Sequence, residues 1–311
     1  MGDSDYQLII VGGGPAGLTA GLYASRAKLK TVLLEKGATG GQVMLTDWID
    51  NYPGFPEGIS GFDLADKMAA QAKRFGLETR SNTIVTRMDL KTGTKKIFLE
   101  DGSHLTCKSL IIATGARPSE LKVPGEIEFA GKGVSYCATC DAPFYRDQEV
   151  VVVGGGNTAI QEAIYLTKFA RKVKVIHRRE QLRATQIIQD QALANEKIEF
   201  ILNSTVTEIS GAKGVEKILL KNTAGAESII PAQGIFILIG TNPNNEMLPL
   251  DQIETKEGFV ITDREMRTNI PGVMAAGDIC YKSVRQVVNA AGEGAVAAMA
   301  AEHHLAAPQK K

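Results

Sequence analysis

One pattern occurs twice in this chain, and it limits the choice of fold more than any other feature. Residues 7–36 read QLIIVGGGPAGLTAGLYASRAKLKTVLLEK, and residues 149–179 read EVVVVGGGNTAIQEAIYLTKFARKVKVIHRR. Each copy has an apolar β-branched run, a glycine-rich turn, an alanine-rich segment and a second β-branched run. Such runs are typical of buried parallel strands, and the segment between them is typical of a helix. Each copy therefore predicts a strand–helix–strand unit of an α/β fold.

The glycines of both copies are spaced as a dinucleotide-binding turn requires. The pattern is G-x-G-x-x-G in the first copy and G-x-G-x-x-A in the second, at Gly12, Gly14 and Gly17 and at Gly154, Gly156 and Ala159. The first position allows a tight turn, the second lets a pyrophosphate approach the backbone, and the third lets the helix pack on the strand. One such turn is a weak signal, whereas two in matching contexts predict two Rossmann-like three-layer dinucleotide-binding domains.

The two copies differ where the second strand ends. Glu35 ends that strand in the first copy, and a carboxylate at this place accepts hydrogen bonds from an unphosphorylated ribose, as in FAD or NAD. The second copy has a basic cluster at the corresponding place, formed by His177, Arg178, Arg179 and Arg183. Arginine binds phosphate oxygens in bidentate geometry, so the cluster favours the 2′-phosphate of NADPH. The alternative interpretation is a solvated basic turn.

Two different adenine dinucleotides in one chain indicate electron transfer between them, and FAD with NADPH is the natural pair. Two similar passages, ATGARP and GTNPNN, each follow an apolar strand and contain glycine with proline. They indicate where the chain passes between domains. We therefore predict that the second unit is inserted in the first. Residues 1–117 form the first part of an FAD-binding domain, 118–246 the NADPH-binding domain with its C-x-x-C pair, and 247–311 the second part of the FAD-binding domain.

Cys137 and Cys140 form a C-x-x-C pair shortly before the second copy. This spacing allows a reversible disulfide and can lower the pKa of one thiol. A closed zinc site needs four nitrogen or sulfur ligands, but Cys107 and Cys280 stand alone and there is no second C-x-x-C, so no metal is expected. A buried structural pair is the other alternative. A redox role is favoured because a flavin and an electron donor are already indicated.

Asp141 directly follows the second cysteine of the pair. A carboxyl group at this place can donate or accept the proton that thiolate chemistry requires. An aspartate before Ala-Pro is also a common turn former. The spacing alone does not decide between the two roles.

Charge and hydropathy exclude several classes of partner. Lys plus Arg and Asp plus Glu both number 35, so the chain lacks the basic excess of nucleic-acid-binding proteins. The first apolar run covers only residues 8–11, whereas a membrane span needs about 20 apolar residues. We therefore expect no nucleic-acid partner, no membrane span and a cytoplasmic location.

Taken together, these residues resemble the low-molecular-weight thioredoxin reductases of bacteria, which are class II pyridine nucleotide-disulfide oxidoreductases, along essentially the whole chain. The motifs that carry the resemblance are GGGPAG, EKGATGGQ with a later NYPG, ATGARP, CATCD, GGGNTA, HRR-x-x-x-R and AAGD followed by RQ. The larger animal-type reductases have a C-x4-C near the first strand, which is absent here. One departure is Ala142, where many relatives carry glycine; alanine is small but lowers local backbone freedom.

The resemblance implies the residues that bind each cofactor. Those expected at FAD are Gly12, Gly14, Pro15, Ala16, Gly17, Glu35, Lys36, Gly37, Gly41, Gln42, Asn51, Val85, Thr114, Gly115, Gly277, Asp278, Arg285, Gln286 and Val287. Those expected at NADPH are Gly154, Gly156, Asn157, Thr158, Ala159, His177, Arg178, Arg179 and Arg183. Val85 is expected to touch the adenine through backbone groups, and Asp278 to bind the ribityl–pyrophosphate region.

The resemblance also implies a thioredoxin-disulfide reductase. In the family, hydride passes from NADPH to FAD, and electrons then pass to the disulfide of Cys137 and Cys140. Cys140 would face the flavin, Cys137 would attack the disulfide of thioredoxin, and Asp141 would act as acid and base. A homodimer is implied as well, and so is an exchange between two domain orientations about the connections near residues 118 and 246.

Two alternatives remain at this point. One is an NADPH-dependent flavoprotein that reduces another small dithiol protein or a peroxidase partner. Relatives that reduce ferredoxin lack the dithiol, so CATC argues against that activity. The other is a flavin-binding regulatory module without turnover, which would have no need of a redox pair beside the second glycine turn.

Overall fold

The structure is a computed structural model, and it describes residues 4–46, 48–91 and 93–307. The chain forms two compact units. Unit 1 consists of the described residues up to Arg117 and from Asn242 onward, and unit 2 consists of Pro118–Thr241.

The second boundary between the units differs from the prediction, which placed it after residue 246. Residues 242–246 belong to unit 1 because Asn244 is bonded there. Its N–H donates to Gly115 O at 3.0 Å, and its carbonyl oxygen accepts the hydroxyl of Thr114 at 2.7 Å.

The secondary structure follows the two repeats, with shorter strands between them. In chain order up to the first boundary, the elements are β1 (Tyr6–Val11), α1 (Pro15–Arg26), β2 (Thr31–Leu34), the 3₁₀ helix η1 (Gly41–Leu45), α2 (Gly61–Arg74), β3 (Glu78–Arg80), β4 (Val85–Asp89), β5 (Lys95–Leu99), β6 (His104–Ile112) and β7 (Ala116–Pro118). The next elements are β8 (Val134–Ser135), α3 (Ala138–Asp141), the 3₁₀ helix η2 (Ala142–Tyr145), β9 (Glu149–Val153), α4 (Asn157–Leu166), β10 (Lys172–Ile176), α5 (Gln186–Leu193), β11 (Ile198–Ile201), β12 (Ser204–Ser210), β13 (Lys217–Asn222), β14 (Glu227–Pro231) and β15 (Gly234–Ile237). The last are β16 (Thr241–Pro243), β17 (Thr255–Lys256), β18 (Phe259–Val260), β19 (Val273–Ala275) and α6 (Val287–Ala306).

Unit 1 is built on a sheet with the strand order β3-β2-β1-β6-β5-β4, in which β19 also pairs with β6. The strands β3, β2, β1, β6 and β19 are parallel, and β5 is antiparallel to its two neighbours. Leu8 and Ile10 of β1 pack with residues of α1 and α6, whereas Ile9 and Val11 pack with β4, β5 and the segment 248–280. Both faces of the sheet are covered, which explains the unbroken apolar run of β1.

Unit 2 has five parallel strands in the order β11-β10-β9-β15-β8 and a separate antiparallel sheet β12-β13-β14. Val150 and Val152 of β9 pack with residues of α4, whereas Val151 and Val153 pack with residues of the antiparallel sheet. The parallel sheet therefore lies between a helical layer and a second sheet. The prediction of an α/β fold with two Rossmann-like three-layer units is confirmed.

Within residues 4–46, 48–91 and 93–307, no helix combines the length and the apolar character that crossing a bilayer requires. The same ranges contain no group of three or more His, Cys, Asp or Glu side chains that could hold a metal ion.

Candidate nucleotide sites and dithiol

The first glycine turn joins β1 to α1 in unit 1. Gly12 has a φ of +109°, and a Cβ there would clash with Ala113 O, so only glycine fits. A Cβ on Gly17 would clash with Gly12 O, because α1 packs directly on the turn. A Cβ on Gly14, in contrast, would have Gly41 Cα as its nearest neighbour at 3.9 Å. The backbone of Gly14, which caps α1, is therefore open to a ligand.

The second glycine turn, between β9 and α4 of unit 2, repeats this arrangement. Gly154 has a φ of +151°, and a Cβ there would lie 2.6 Å from the Cβ of the fully buried Ala159. A Cβ on Gly156, the cap of α4, would have no neighbour within 4 Å. Both turns are therefore open at the middle glycine, where the sequence predicts a pyrophosphate.

Glu35 follows β2, and its carboxylate is bonded to the first glycine turn. Its Oε2 accepts the N–H of Gly13 at 2.6 Å, and its Oε1 accepts the N–H of Gly37 at 3.1 Å. A carboxylate has about four acceptor positions, so capacity remains for hydroxyl donors such as those of a ribose. The side chain predicted to bind the ribose is half-buried and held in place by the turn.

Three buried side-chain atoms among the described residues lack a hydrogen-bond partner, and all three belong to residues predicted to bind a cofactor. They are Asp278 Oδ1 and Arg285 Nε in unit 1 and His177 Nε2 in unit 2. Such atoms are rare in native proteins, because each one lowers the free energy of unfolding by about 1–3 kcal/mol. Bound ligands would supply the partners, so these residues fit the cofactors that the sequence predicts.

Asp278 lies after β19 beside two further charged side chains. Burial raises the pKa of its carboxyl group, and the charge of Lys282, with Nζ 3.8 Å from Asp278 Oδ1, acts in the opposite direction. Lys282 Nζ also lies 2.6 Å from Glu293 Oε2, and the same oxygen accepts the N–H of Gly277 at 2.8 Å. The Lys282–Glu293 pair therefore holds the loop of Gly277 and Asp278. Sequence reasoning did not identify this pair, because no motif marks it.

Other residues predicted to bind FAD are bonded to each other or to the backbone of unit 1. Asn51 Nδ2 donates to Gln286 Oε1 at 3.0 Å. Gln42 Nε2 donates to Ala116 O. Val85 is buried at the start of β4. Unit 1 thus contains all the residues predicted for FAD, although they come from both of its chain segments.

The basic cluster of unit 2 contains one buried and three exposed side chains. Arg178, Arg179 and Arg183 are exposed, and none of them forms an ion pair with another described residue. His177 is only 5% exposed, and burial, followed by the charge of Arg183, lowers the pKa of its imidazole. The positive charge at neutral pH therefore comes from the three arginines.

The segment that carries these arginines folds back on the second glycine turn. The N–H groups of Arg183 and Ala184 both donate to Gly155 O, at 2.6 and 3.0 Å. The N–H of Thr185 donates to Asn157 Oδ1 at 2.8 Å. These bonds hold the basic segment against the turn predicted to bind the pyrophosphate, which is where a 2′-phosphate would need a cation.

Cys137 and Cys140 form a disulfide at the start of α3, with their Cα atoms 5.3 Å apart. Cys137 caps α3, and its Sγ accepts the N–H of Cys140 at 3.2 Å. Both cysteines are half-buried. Cys107 and Cys280 are free thiols in the interior of unit 1, and burial raises the pKa of each to about 12, so neither is a reactive thiolate. The disulfide predicted from the C-x-x-C pair is present.

Glu126 binds the residue before Cys137, and sequence reasoning missed it. Only 1% of Glu126 is exposed. Its carboxylate accepts the hydroxyl of Tyr136 at 2.9 Å and the N–H groups of Leu121 and Lys122 at 2.9 and 2.6 Å. A glutamate in a loop gives no periodic signal, so nothing in the local sequence marks this role.

Glu162 binds the residue after Cys137 and was also missed. Its Oε2 accepts the N–H of Ala138 at 2.8 Å. In α4 it lies on the same face as the buried residues Ala159 and Leu166, which are three positions before it and four positions after it. A charged residue on an otherwise apolar helix face is a signal that could have identified it.

Asp141 and Tyr145 complete the surroundings of the disulfide in unit 2. The N–H of Asp141 donates to Cys137 O at 3.2 Å. Burial, followed by the charge of Asp141, raises the pKa of Tyr145 to about 12, so its hydroxyl stays protonated at neutral pH. The structure therefore combines a reducible disulfide with a carboxyl group at the end of the same short helix.

Comparisons with known proteins agree with this arrangement. Residues 6–294 match the family described as pyridine nucleotide-disulphide oxidoreductase. The thioredoxin reductase of Listeria innocua is 46% identical over 302 residues, which cover 96% of this chain and 94% of that protein. The thioredoxin reductase of Bacillus subtilis is 44% identical over 302 residues, which cover 96% of this chain and 95% of that protein. The crystal structure of thioredoxin reductase from Streptococcus pyogenes is 46% identical, with a TM-score of 0.92, over 96% of this chain and 98% of that one.

Proposed function

Because this chain belongs to the pyridine nucleotide-disulphide oxidoreductase family and, within it, to the thioredoxin reductases, we propose that it transfers electrons from NADPH through FAD to the disulfide of thioredoxin. The observation that carries this proposal is the disulfide of Cys137 and Cys140. It lies in unit 2, which also contains the second glycine turn. A reducible pair in a chain with two dinucleotide turns fits a reductase that acts on disulfides.

We assign FAD to unit 1. Gly14 would receive the pyrophosphate at the N-terminus of α1, and Glu35 would accept hydrogen bonds from the ribose of the adenosine. The unpartnered atoms Asp278 Oδ1 and Arg285 Nε would bind the flavin portion. The support for this assignment is that the open glycine and both unpartnered atoms belong to one unit.

We assign NADPH to unit 2. Gly156 would receive its pyrophosphate, and Arg178, Arg179 and Arg183 would bind its 2′-phosphate. The three arginines are exposed and form no ion pair within the described ranges, so their charge is available. The buried His177 would contact the nucleotide through its unpartnered Nε2.

The chemistry of the dithiol follows from its two sulfurs and the neighbouring carboxyl group. When bound, FAD would supply two electrons derived from the hydride of NADPH, and these electrons together with two protons would convert the disulfide to two thiols. Cys137 attacks one sulfur of the thioredoxin disulfide, which breaks that S–S bond and forms a mixed disulfide. Cys140 then attacks the sulfur of Cys137, which restores the enzyme disulfide and releases thioredoxin with two thiols. Asp141 accepts the proton of each attacking thiol and returns it to each departing thiolate.

We also propose that two copies of unit 1 associate as a homodimer. Large apolar side chains are exposed along α6 and the adjacent α1: Val288 is 44% exposed, Val296 37%, Met299 49% and Tyr23 40%. The spacing of Val288, Val296 and Met299 places these three side chains on one side of α6. An exposed apolar stripe of this kind suits an interface with a second chain. Sedimentation of a Val296→Glu, Met299→Glu variant at the monomer mass, beside a dimeric wild type, would support this proposal.

We place the protein in the cytoplasm. A dithiol that must return to its reduced form through NADPH suits a compartment where thiols are kept reduced. Recovery of the protein from an oxidising compartment would contradict this placement.

The proposed function is tested by adding NADPH to the purified yellow protein without oxygen. The visible absorbance of the oxidised flavin should decrease, and oxidised thioredoxin should restore it. A parallel assay with a panel of other small dithiol proteins identifies the preferred partner. A flavin that stays oxidised contradicts the enzyme, and preference for another member of the panel contradicts thioredoxin as the substrate.

A further inference from the structure

The dithiol segment is bonded to α4, the helix that begins at the second glycine turn, through the side chain of Glu162. Its Oε2 accepts the N–H of Ala138 at 2.8 Å. Ala138 directly follows Cys137 and is fully buried. Glu162 is half-buried, and burial raises the pKa of its carboxyl group while the N–H of Ala138 lowers it.

The hydrogen bonds around Cys137 determine how well a thiolate at this position is stabilised. The N–H of Cys140 already points to Cys137 Sγ, at 3.2 Å. The N–H of Cys137 donates to Ser135 Oγ at 3.1 Å. The N–H of Ala138 is the next donor along the chain, and Glu162 accepts it. N–H donors and positive charge stabilise a thiolate, whereas a neighbouring carboxylate destabilises it.

We propose that Glu162 is a positioning residue that keeps the reduced Cys137–Cys140 pair strongly reducing, an inference that rests on the proposed function of that pair as electron donor. The carboxylate holds the N–H of Ala138 and puts a negative charge beside Cys137. Both effects disfavour a thiolate at Cys137. A dithiol whose reduced form is less stabilised has a more negative potential and passes electrons on more readily.

The other titratable groups near α3 are bonded at other positions. α3 packs against η2 and α4. Asp141 lies at the opposite end of α3 from Ala138, and Tyr145 of η2 stays neutral because burial raises its pKa to about 12. Tyr165 of α4 lies near the far end of that helix, against Phe169. Glu126 is bonded to Tyr136, the residue before α3 and Cys137, and its carboxylate accepts three donors there. Glu162 is the carboxylate that accepts the N–H of Ala138, the first residue of α3.

The variant Glu162→Gln separates charge from hydrogen bonding, because glutamine keeps a carbonyl oxygen for the N–H of Ala138. The FAD-loaded protein is equilibrated with mixtures of oxidised and reduced dithiothreitol, and the free thiols are trapped with a maleimide. We expect the equilibrium to move toward the dithiol by about threefold to tenfold, which corresponds to about 15–30 mV. The pKa of the Cys137 thiol, read from the pH dependence of its alkylation, should fall by about 0.5–1 unit.

Three further variants test whether the shift comes from the charge of Glu162. Glu227→Gln removes the same charge from the exposed strand β14 of unit 2 and should leave both readouts unchanged. Glu162→Asp keeps the charge and should stay close to the wild type. Glu162→Ala is a second neutral variant in case Glu162→Gln does not fold. A shift in Glu162→Asp as large as in Glu162→Gln would assign the effect to packing and overturn the inference.

Failure of this inference can be distinguished from failure of the proposed function. Reduction of the wild-type disulfide by NADPH is measured in the same samples. If the wild type is not reduced, the proposed function is wrong. If the wild type is reduced and the Glu162→Gln variant has the wild-type equilibrium and alkylation profile, only the role of Glu162 is wrong.

Discussion

The hydroxyl of Tyr136 donates a hydrogen bond to Glu126 Oε1 at 2.9 Å, directly beside the disulfide in the sequence. Glu126 is a carboxylate with 1% exposure that also accepts two backbone N–H groups. Burial of a charge is costly unless it is fully hydrogen-bonded, and here three donors compensate for it. The residue that precedes Cys137 is thus bonded to a segment ten or more positions earlier in the chain.

Tyr136→Phe should destabilise unit 2. Loss of one hydrogen bond to a charged group lowers the free energy of unfolding by about 1.5–3 kcal/mol. Hydrogen exchange of the amides of β9 and β15 measures this change, because these central strands are exposed only when the unit opens. Tyr165→Phe is the matched control, since no hydrogen bond of its hydroxyl is present among the described residues. Equal protection in the two variants would contradict the role given to the Tyr136–Glu126 bond.

Cys137→Ser and Cys140→Ser should each abolish thioredoxin reduction while NADPH still bleaches the flavin. The reason is that serine cannot form the disulfide that carries electrons from flavin to partner. Stopped-flow absorbance follows the flavin, and insulin precipitation follows thioredoxin reduction. Cys107→Ala is the control and should keep its turnover, because this thiol is buried in the interior of unit 1 and its raised pKa makes it unreactive. Turnover retained in either serine variant would remove the dithiol from the mechanism.

Replacement of Arg178 and Arg179 by glutamine should raise the KM for NADPH far more than the KM for NADH. Each lost charged hydrogen bond to the 2′-phosphate costs about 1.5–3 kcal/mol, which is roughly 10- to 150-fold. Steady-state kinetics with both nucleotides measures the difference. Arg171→Gln, in which the arginine already pairs with Glu149 at 3.0 Å, should change neither value. Equal effects on NADPH and NADH would show that the arginines do not bind the 2′-phosphate.

Gly156→Ala should fold normally and still bind NADPH at least about tenfold more weakly, since a methyl group would displace the phosphate from the N–H groups of the turn. Gly156 has φ −89°, which alanine tolerates, and its Cβ would meet no protein atom within 4 Å. Isothermal titration calorimetry measures the affinity. Gly14→Ala is the counterpart in unit 1, and it should weaken FAD binding and leave NADPH affinity unchanged. Wild-type NADPH affinity in Gly156→Ala would place the nucleotide elsewhere.

His177 should contribute to a loss of stability at low pH. Its pKa is lowered in the folded protein, so the unfolded chain binds the proton first. Stability should therefore fall as the pH decreases below about 6.5, down to the folded pKa. The His177→Gln variant should show a smaller decline of the thermal midpoint between about pH 7.5 and pH 5 than the wild type. His303→Gln, which removes an exposed imidazole of α6, serves as the control. A decline in His177→Gln as steep as in the wild type would contradict this assignment.

Local patterns were sufficient for the parts of the site that depend on backbone conformation. Gly12 and Gly154 need a positive φ, which favours glycine. The small residues Gly17 and Ala159 are needed where the helix packs closely on the turn. Both turns could therefore be predicted from a single sequence. The disulfide of the C-x-x-C pair could also be predicted, because a separation of three residues is enough to bring the two sulfurs together.

Contacts between segments that are distant in the chain could not be predicted from the sequence, because they produce no periodicity or fixed spacing of residues. The hydrogen bond between Ala138 and Glu162 spans 24 positions. Asn244 is hydrogen-bonded to Thr114, 130 positions earlier, so unit 2 ends at Thr241 and not at the predicted residue 246. The burial of His177 belongs to the same class, since a basic cluster in a sequence does not reveal which member faces inward.

The sequence alone therefore determined the two strand–turn–helix units and the redox pair, since steric demands within a few residues leave little choice of residue type. Only the tertiary structure decided which carboxylates bind the residues on either side of Cys137 and which polar atoms remain without a partner. These contacts depend on how remote segments of the chain pack. Burial removes water from their polar groups, so each donor needs an acceptor in the protein or on a ligand.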